Sequence, residues 1–433
     1  MNARIAEIVS ERLRADAPLA WITAGSSWRL ERLGAFYASP SALRIAIEKI
    51  LQQLRLSALP SQWVMQSNLK DTVDDLIVRI SALEPKNEPD TREHRGATGA
   101  PDGGSTEPYA FVRVFYGTDR EAVESQRFAS EGFSAGRSRN GDTHYGNCLI
   151  SVPACHRMGA LESPSWFRFE FKPDPRKHIV LHEVATLEEE LFFEEVARSI
   201  AQSPAHETFV FVHGFNVSFQ DAVKRTAQIA FDLDFKGAPI TYSWPSNGRV
   251  LDYNKDEANV IWTVPHLERF LDLLLARSGA ERLHVIAHSM GNRAVCDALE
   301  RRSRITTEAQ QNRIHHLVLT APDIDADTFK ELAANIRKTA ETVTLYASSN
   351  DKAIRLSAEI HGNPRAGTPL LIIPGVETID ASNVDTDFLG HSYFSSARSV
   401  LSDIYALFGD DHPASQRLSA LSSSGETYYV IKP

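Results

Sequence analysis

The sequence predicts an α/β fold in which a mostly parallel sheet carries helices on both faces, with a small all-helical domain before it. From residue 109 onward, short apolar runs alternate with longer stretches whose apolar residues recur at helical spacing. Such alternation is typical of strand–helix units that place their strands parallel in one sheet. Before residue 85, helical spacing dominates.

The chain divides into four regions. Residues 85–108 are rich in Pro, Gly and charged residues, which cannot bury a core, so a flexible linker is expected there. Residues 1–84 carry amphipathic helical faces and several Trp, and a helical, adaptor-like domain is expected. The alternative is that these helices are a packing extension of the next domain. That α/β domain is expected over 109–410, and a C-terminal tail over 411–433.

Each strand is predicted by an apolar run between polar or turn-forming residues. The strands are expected, in order, at 109–116, 147–152, 178–182, 208–212, 239–244, 282–287, 316–320, 342–347 and 369–373, the last of these being the last central strand. Between the first two strands, residues 119–146 are polar and Gly-rich, and a long loop is predicted.

Capping residues mark where the helices begin. A capping box at 186–189 predicts a helix that follows it directly. Ser218 and Asp221 open the next helix, and Pro265 is expected at the first position of another. The face of that helix expected to meet the sheet consists of Leu267, Phe270, Leu271, Leu274 and Leu275.

The most specific chemical signal is Ala287-His288-Ser289-Met290-Gly291. It follows an apolar run and precedes a helical pattern. A strand, a tight turn that carries Ser, and then a helix is the arrangement of a nucleophile elbow. Small residues must flank the serine of such a strained turn, and Ala287 and Gly291 meet that need. The alternative is an ordinary strand-to-helix turn.

A second signal lies upstream, where the strand at 208–212 runs into His213-Gly214-Phe215. Gly214 allows the backbone to approach a substrate. The N–H groups of Phe215 and Met290 would then stabilise a developing oxyanion. Considered by itself, this segment would more often be a His-Gly turn that ends a core strand. Because the predicted nucleophile elbow follows it in the expected chain order, an oxyanion loop is favoured instead.

An acid and a histidine are expected after the nucleophile in this chain order. Asp351 follows a predicted strand, and His391 lies in a loop further on. His391 would take the proton of Ser289, and Asp351 would orient the imidazole. Asp323 also ends a predicted strand and is a rival acid, a helix cap or part of the pocket rim; Asp351 is favoured.

The sequence identifies the residues of the substrate pocket less clearly than the catalytic residues. His213, Gly214, Trp244 and Tyr393 flank the catalytic positions and are expected to border the pocket, although aromatic residues in such places also occur simply as core. No cofactor is expected. No metal site is expected either, because the histidines lie on separate strands or strand ends without carboxylates at ligand spacing. These histidines are His213, His284, His288, His315 and His316.

The composition fits a soluble enzyme. Of the 433 residues, 42% are hydrophobic and 24% are charged, which is ordinary for a globular protein. The net charge of −10 argues against a nucleic-acid partner. Three cysteines without metal spacing indicate thiols of a reducing compartment. The sequence shows no transmembrane segment and no secretion signal, so a cytoplasmic location is expected.

Several short motifs occur together and in order. They lie at 114–120, 212–216, 243–246, 288–292, 321–323, 349–352 and 391–393. Through them the chain resembles the α/β-hydrolases of a bacterial, esterase- and lipase-like family of unknown function. The resemblance covers about two-thirds of the chain and implies an α/β-hydrolase fold and a Ser-Asp-His hydrolase without a settled substrate. The first hundred residues match nothing in it.

These features predict a serine hydrolase, carboxylesterase- or lipase-like, that cleaves a small-molecule or lipid ester. The triad of Ser289, His391 and Asp351 would act through an acyl-enzyme. The alternative is a latent effector hydrolase of a bacterial defence or signalling system. A partner bound to the N-terminal helical domain would then gate it, and residues 1–84 are expected to bind a protein partner or to self-associate.

Overall fold

The computed structural model describes residues 108–123, 132–164, 172–246, 253–305, 314–384, 398–423 and 425–431. The helical domain predicted at 1–84 lies outside the described residues, and so does all but the last residue of the linker predicted at 85–108.

The described strands are β1 (Tyr109–Thr118), β2 (Arg120–Ala122), β3 (Phe133–Arg137), β4 (His144–Pro153), β5 (Val180–Leu187), β6 (Glu207–Val212), β7 (Ala238–Ser243), β8 (Arg282–His288), β9 (Ile314–Thr320), β10 (Ala340–Ala347), β11 (Glu377–Asp380), β12 (Ser419–Ser423) and β13 (Glu426–Val430). The described helices are α1 (Glu189–Ala201), α2 (Phe219–Asp232), α3 (Tyr253–Arg277), α4 (Gly291–Ile305), α5 (Ala326–Thr339), α6 (Lys352–His361), α7 (Arg398–Asp410) and α8 (Ala414–Arg417).

One large, mostly parallel sheet organises these elements. Its strand order is β12-β13-β11-β10-β9-β8-β6-β7-β1-β4-β5. All neighbouring pairs from β13 to β1 are parallel, and only the outer pairs β12–β13, β1–β4 and β4–β5 are antiparallel. The predicted α/β class is therefore confirmed. Because the central strands are parallel, their carboxyl ends share one edge of the sheet, where ligand sites of such folds lie.

Strand β6 shows why helices cover both faces. All six of its residues are buried. Val210 and Val212 join the core cluster that contains residues of α1, α3 and α4, whereas Phe209 and Phe211 join the cluster of α2 and α7. Successive side chains of a strand point to opposite faces, so a strand that is apolar throughout needs cover on both sides.

The boundaries of α1 and α3 differ from the sequence prediction. Thr186 belongs to β5, where it pairs with Gly146, and α1 instead begins after Glu188 with no side-chain cap, so the predicted capping box is wrong. Pro265 lies inside α3 rather than at its start. Pro265 and Ile261 are both exposed, so water can satisfy the carbonyl that the proline leaves without a donor.

Three other segments also differ. The predicted loop at 119–146 contains the antiparallel pair β2–β3. The predicted strand at 369–373 is irregular: Leu371 and Ile373 pack against the core without strand pairing, and the strand beside β10 is β11. The predicted tail at 411–433 instead contributes β12 and β13 to the large sheet. Within the described residues, no helix combines the length and the apolar character that a membrane crossing requires.

Candidate active site

Ser289 lies in the turn between β8 and α4, as the sequence predicts. Its φ is 51°, in the left-handed region that residues other than glycine rarely occupy. The N–H of Ser289 donates to the carbonyl of Thr320 at 3.0 Å, and the carbonyl of Ser289 accepts from the N–H of Asp323 at 3.2 Å and from Nδ2 of Asn292 at 2.9 Å. These bonds hold a strained turn in place, which is common at functional sites.

Two glycines bring the loop after β6 against this turn. A Cβ built on Gly214 would lie 2.7 Å from the Cβ of Ser289. A Cβ built on Gly291 would lie 2.4 Å from the carbonyl oxygen of His213 and 2.8 Å from that of Val212. Real Cβ atoms do not approach other atoms so closely, so any side chain at either position would push the two segments apart.

His213 and Trp244 lie beneath this loop rather than beside open space. The exposed fractions of both residues are at most 1%. The two rings stack with centroids 5.1 Å apart, and Nε1 of Trp244 donates to the carbonyl of His213 at 2.7 Å. Burial, with the nearby Arg120, lowers the pKa of His213 to about 3, so the imidazole is neutral. Their burial fits a role in bracing the loop better than the predicted role in bordering the pocket.

Arg120 also stabilises the loop after β6, and no role was predicted for it from the sequence. Its guanidinium is buried and donates from Nε to Oγ of Ser243 at 2.9 Å, from Nη1 to the carbonyl of Ser246 at 3.1 Å and from Nη2 to the carbonyl of Val217 at 2.7 Å. Nη2 also lies 3.3 Å from Nε2 of His213. Burial lowers the pKa of Arg120 to about 10, so it stays charged at neutral pH. Its place in the motif at 114–120 was the available signal.

The N–H groups of Phe215 and Met290 donate no hydrogen bond to any described residue. Phe215 is half-buried and meets the ring of Tyr253 edge-on, with centroids 5.2 Å apart. Met290 is fully buried. Two backbone donors beside the elbow are what an oxyanion hole requires.

Both oxygens of the Asp323 carboxylate are already engaged. Oδ1 accepts from Oγ of Ser357 at 2.6 Å and lies 3.4 Å from Nε of Arg365. Oδ2 accepts from the hydroxyl of Tyr253 at 2.9 Å and from Nη2 of Arg293 at 3.1 Å. Burial favours the neutral acid, but Arg293, Ser357 and Arg365 prevail and lower the pKa of Asp323 below its ordinary value.

Asp323 therefore belongs to a polar network beside the elbow. Glu257 extends that network, because its Oε1 lies 2.7 Å both from Nη1 of Arg293 and from Nε2 of His361. Arg293 is thus paired with two carboxylates, those of Glu257 and Asp323. The helix-cap alternative for Asp323 is wrong, since Asp325 caps α5.

Asp351 follows β10 and caps α6. Its Oδ1 accepts from the N–H groups of Ala353 and Ile354, both at 3.0 Å, and the residue is fully buried. Ser289, Asp323 and Asp351 follow β8, β9 and β10, which are consecutive strands of the sheet. Neighbouring strands lie about 4.8 Å apart. The chain positions of Ser289 and Asp351 are therefore about 10 Å apart across the sheet, a gap that an imidazole can bridge.

His391 and Tyr393 lie outside the described residues. In the chain they fall between β11 and α7. β11 is parallel to β10, so the residues that directly follow it leave from the edge that carries Asp351. The described residues thus include the predicted nucleophile, both candidate acids and both predicted oxyanion donors, but not the predicted base.

A second cluster of titratable side chains lies at the amino ends of β8 and β9. The expectation that the histidines lack carboxylate partners is wrong there: Nε2 of His315 and Nε2 of His316 lie 3.3 and 3.1 Å from Oδ1 of Asp411. Asp411 follows α7, so its contact with the two histidines depends on how the C-terminal part of the chain packs against the sheet. The sequence does not reveal that packing. Burial, helped by the neighbouring His284, lowers the pKa of His316 to about 3.

Comparisons with known proteins match this chain to a family model and to a relative. The model of a family described as "Alpha/beta hydrolase of unknown function (DUF900)" matches residues 188–409, just over half of the chain. An uncharacterized protein of Nostoc sp. (strain PCC 7120) is 40% identical across a stretch that covers 20% of this chain and 29% of that protein. The aligned stretch thus spans less than a third of that relative's length.

Proposed function

The chain belongs to the family of α/β-hydrolases of unknown function, and we propose that it is a serine hydrolase that cleaves a carboxylester or lipid ester. One observation carries the proposal. Ser289 occupies a left-handed turn between a strand and a helix, and Gly214 of the loop after β6 is pressed against it. Nucleophile and oxyanion loop stand in this order and in this contact in hydrolases of the fold.

The proposed reaction begins when His391 takes the proton from Oγ of Ser289. The oxygen attacks the ester carbonyl, and the N–H groups of Phe215 and Met290 stabilise the negative charge on the carbonyl oxygen. The tetrahedral intermediate collapses, and the alcohol leaves with the proton held by His391. A water molecule, deprotonated by His391, then attacks the acyl-enzyme. As the acid leaves, His391 gives that proton to Oγ of Ser289, and both residues are back in their starting states.

Asp351 is the proposed partner of His391. Oδ1 of Asp351 is committed to the cap of α6, and we assign Oδ2 to the Nδ1–H of His391. Asp323 is less suitable because four groups already engage its two oxygens. Arg293 and Arg365 are two of those groups, and their positive charges would weaken the support that Asp323 could give to an imidazolium.

The fold supports hydrolase activity, and a panel of esters tests the narrower proposal. Purified full chain is assayed with p-nitrophenyl esters of short and long acyl chains and with a phospholipid. Ser289→Ala is expected to lower hydrolysis by about 10⁴-fold or more. Ser163→Ala, an exposed serine far along the chain from the elbow, is the matched control and should retain activity. Hydrolysis that survives in Ser289→Ala at the wild-type rate would refute the proposal.

A further inference from the structure

Three side chains at the edge of the sheet opposite Ser289 converge on one point. His315 and His316 are the second and third residues of β9, and Asp411 directly follows α7. One ligand atom from each, all within 4.8 Å of one another, could reach a single metal ion. Ser289 lies at the other end of β8, five residues beyond His284, which corresponds to about 16 Å along a strand.

The distances in this cluster are compatible with shared coordination of one metal ion. Nε2 of His315 and Nε2 of His316 lie 3.3 and 3.1 Å from Oδ1 of Asp411. Neither nitrogen makes a hydrogen bond to a described residue. Ligands about 2.0–2.1 Å from a tetrahedral Zn²⁺ stand about 3.3 Å from each other. Close approach without hydrogen-bond geometry is what shared coordination of one cation produces.

His316 strengthens this interpretation because its ring is buried and, among the described residues, neither of its nitrogens makes a hydrogen bond. Its side chain is 2% exposed, and within the described residues neither Nδ1 nor Nε2 has a hydrogen bond. A buried polar group left unsatisfied costs about 1–3 kcal/mol. The ring lies nearly parallel to two aromatic neighbours that stack on each other: the centroid of His284 lies 5.0 Å away at 18°, and that of Phe408 lies 5.9 Å away at 7°. A cation at Nε2 would satisfy the nitrogen that points to Asp411.

His315 has the partner that a metal-binding histidine usually has. Its Nδ1 lies 2.9 Å from Oε2 of Glu341, at the start of the neighbouring strand β10. A carboxylate that accepts from one ring nitrogen fixes the tautomer and leaves a lone pair on the other. That other nitrogen is Nε2, the one that faces Asp411.

We propose that His315, His316 and Asp411 bind a divalent transition metal of the Zn²⁺ type, with water in the remaining position. Two imidazoles and one carboxylate suit Zn²⁺, whereas Mg²⁺ and Ca²⁺ prefer oxygen ligands throughout. The ion would fasten the start of β9 to the end of α7. Because α8, β12 and β13 follow Asp411, the same ion would secure the C-terminal extension of the sheet. The site is separate from the hydrolase chemistry at Ser289.

Zinc titration of the chelator-treated full chain tests this proposal. Competition with a chromophoric chelator gives stoichiometry and affinity, and visible absorption after Co²⁺ loading reports tetrahedral coordination. We expect one equivalent bound. Asp411 is half-exposed and asparagine is nearly isosteric with it, so Asp411→Asn should fold, which circular dichroism would verify. This variant is expected to weaken zinc binding at least about 100-fold, and Glu341→Gln to weaken it about 10- to 100-fold.

His412→Ala is the matched control, because His412 is exposed and adjacent to Asp411 but outside the cluster. It should bind zinc as the wild type does. His316→Ala is expected to lose binding, and if it does not fold, the Asp411→Asn result decides alone. Wild-type protein that binds no stoichiometric zinc, or Asp411→Asn that binds as tightly as the wild type, would overturn the proposal and leave only a contact between the histidines and Asp411.

Discussion

Gly214→Ala would push the loop after β6 away from the turn that carries Ser289. A Cβ built on Gly214 lies 2.7 Å from the Cβ of Ser289 and 3.0 Å from the carbonyl oxygen of His288. Carbon atoms rest about 3.5–4.0 Å apart, so the loop or Ser289 must move by about 1 Å. A misplacement of that size costs about 100-fold in rate. The overpacking should also destabilise the fold by about 1–3 kcal/mol. Ester hydrolysis under kcat conditions and urea unfolding measure the two effects.

Gly409→Ala is the matched control for this substitution. Gly409 lies in α7, and a Cβ built on it meets no neighbouring atom within 4 Å. Alanine is favoured over glycine within a helix by about 0.5–1 kcal/mol, so this variant should keep its activity and gain stability. A Gly214→Ala variant that retains the wild-type kcat would show that the close contact of this loop with the turn at Ser289 is irrelevant to catalysis.

Asp351→Asn is expected to lower kcat/KM for a p-nitrophenyl ester by about 10⁴-fold, since His391 would lose the acceptor that orients it, whereas Asp323→Asn should lower it far less. Equal losses, or the reverse order, would show that Asp323 is the acid. Deletion of residues 1–100 is expected to leave hydrolysis of a small ester intact and to change the solution mass or abolish capture of a partner; an insoluble product would make those residues part of the hydrolase core. The free energy of unfolding, measured with a chelator present, should fall as the pH drops from about 6.5, the ordinary value for histidine, toward 3. In that window the unfolded chain takes up a proton that folded His213, whose pKa is lowered to about 3, does not. This one group contributes up to about 1.4 kcal/mol per pH unit, and His213→Gln should lessen the slope; an unchanged slope would contradict the assignment.

Local patterns predicted the parts of the molecule that depend on neighbouring residues in the chain. The turn at Ser289 was readable because a strand, small flanking residues and a helix follow one another directly. The cap of α2 was readable for the same reason, and Ser218 does accept from the N–H of Asp221 at 3.1 Å. In both cases the interacting groups are within a few residues of each other.

The errors arose where distant residues decide the structure. Thr186 fits a capping box locally, but pairing with Gly146 on β4 keeps it in a strand. Leu371 and Ile373 look like strand residues because they are apolar, yet they pack against the core without pairing.

The roles of buried polar groups could not be predicted from the sequence either. Arg120 braces the loop around His213 through partners about a hundred residues away. The approach of Asp411 to His316 joins residues nearly a hundred positions apart. Sequence spacing alone contains no information on such contacts, and one sequence offers no pattern that would mark them.

The site at which a fluorophosphonate attaches to the full chain tests the serine-hydrolase account most directly. The protein is incubated with the probe and digested, and the modified peptide is sequenced by mass spectrometry. The account predicts one equivalent of adduct on Ser289, formed by the wild type and by Ser163→Ala but not by Ser289→Ala. An adduct on a different serine, or no adduct on a wild-type chain that hydrolyses esters, would contradict it.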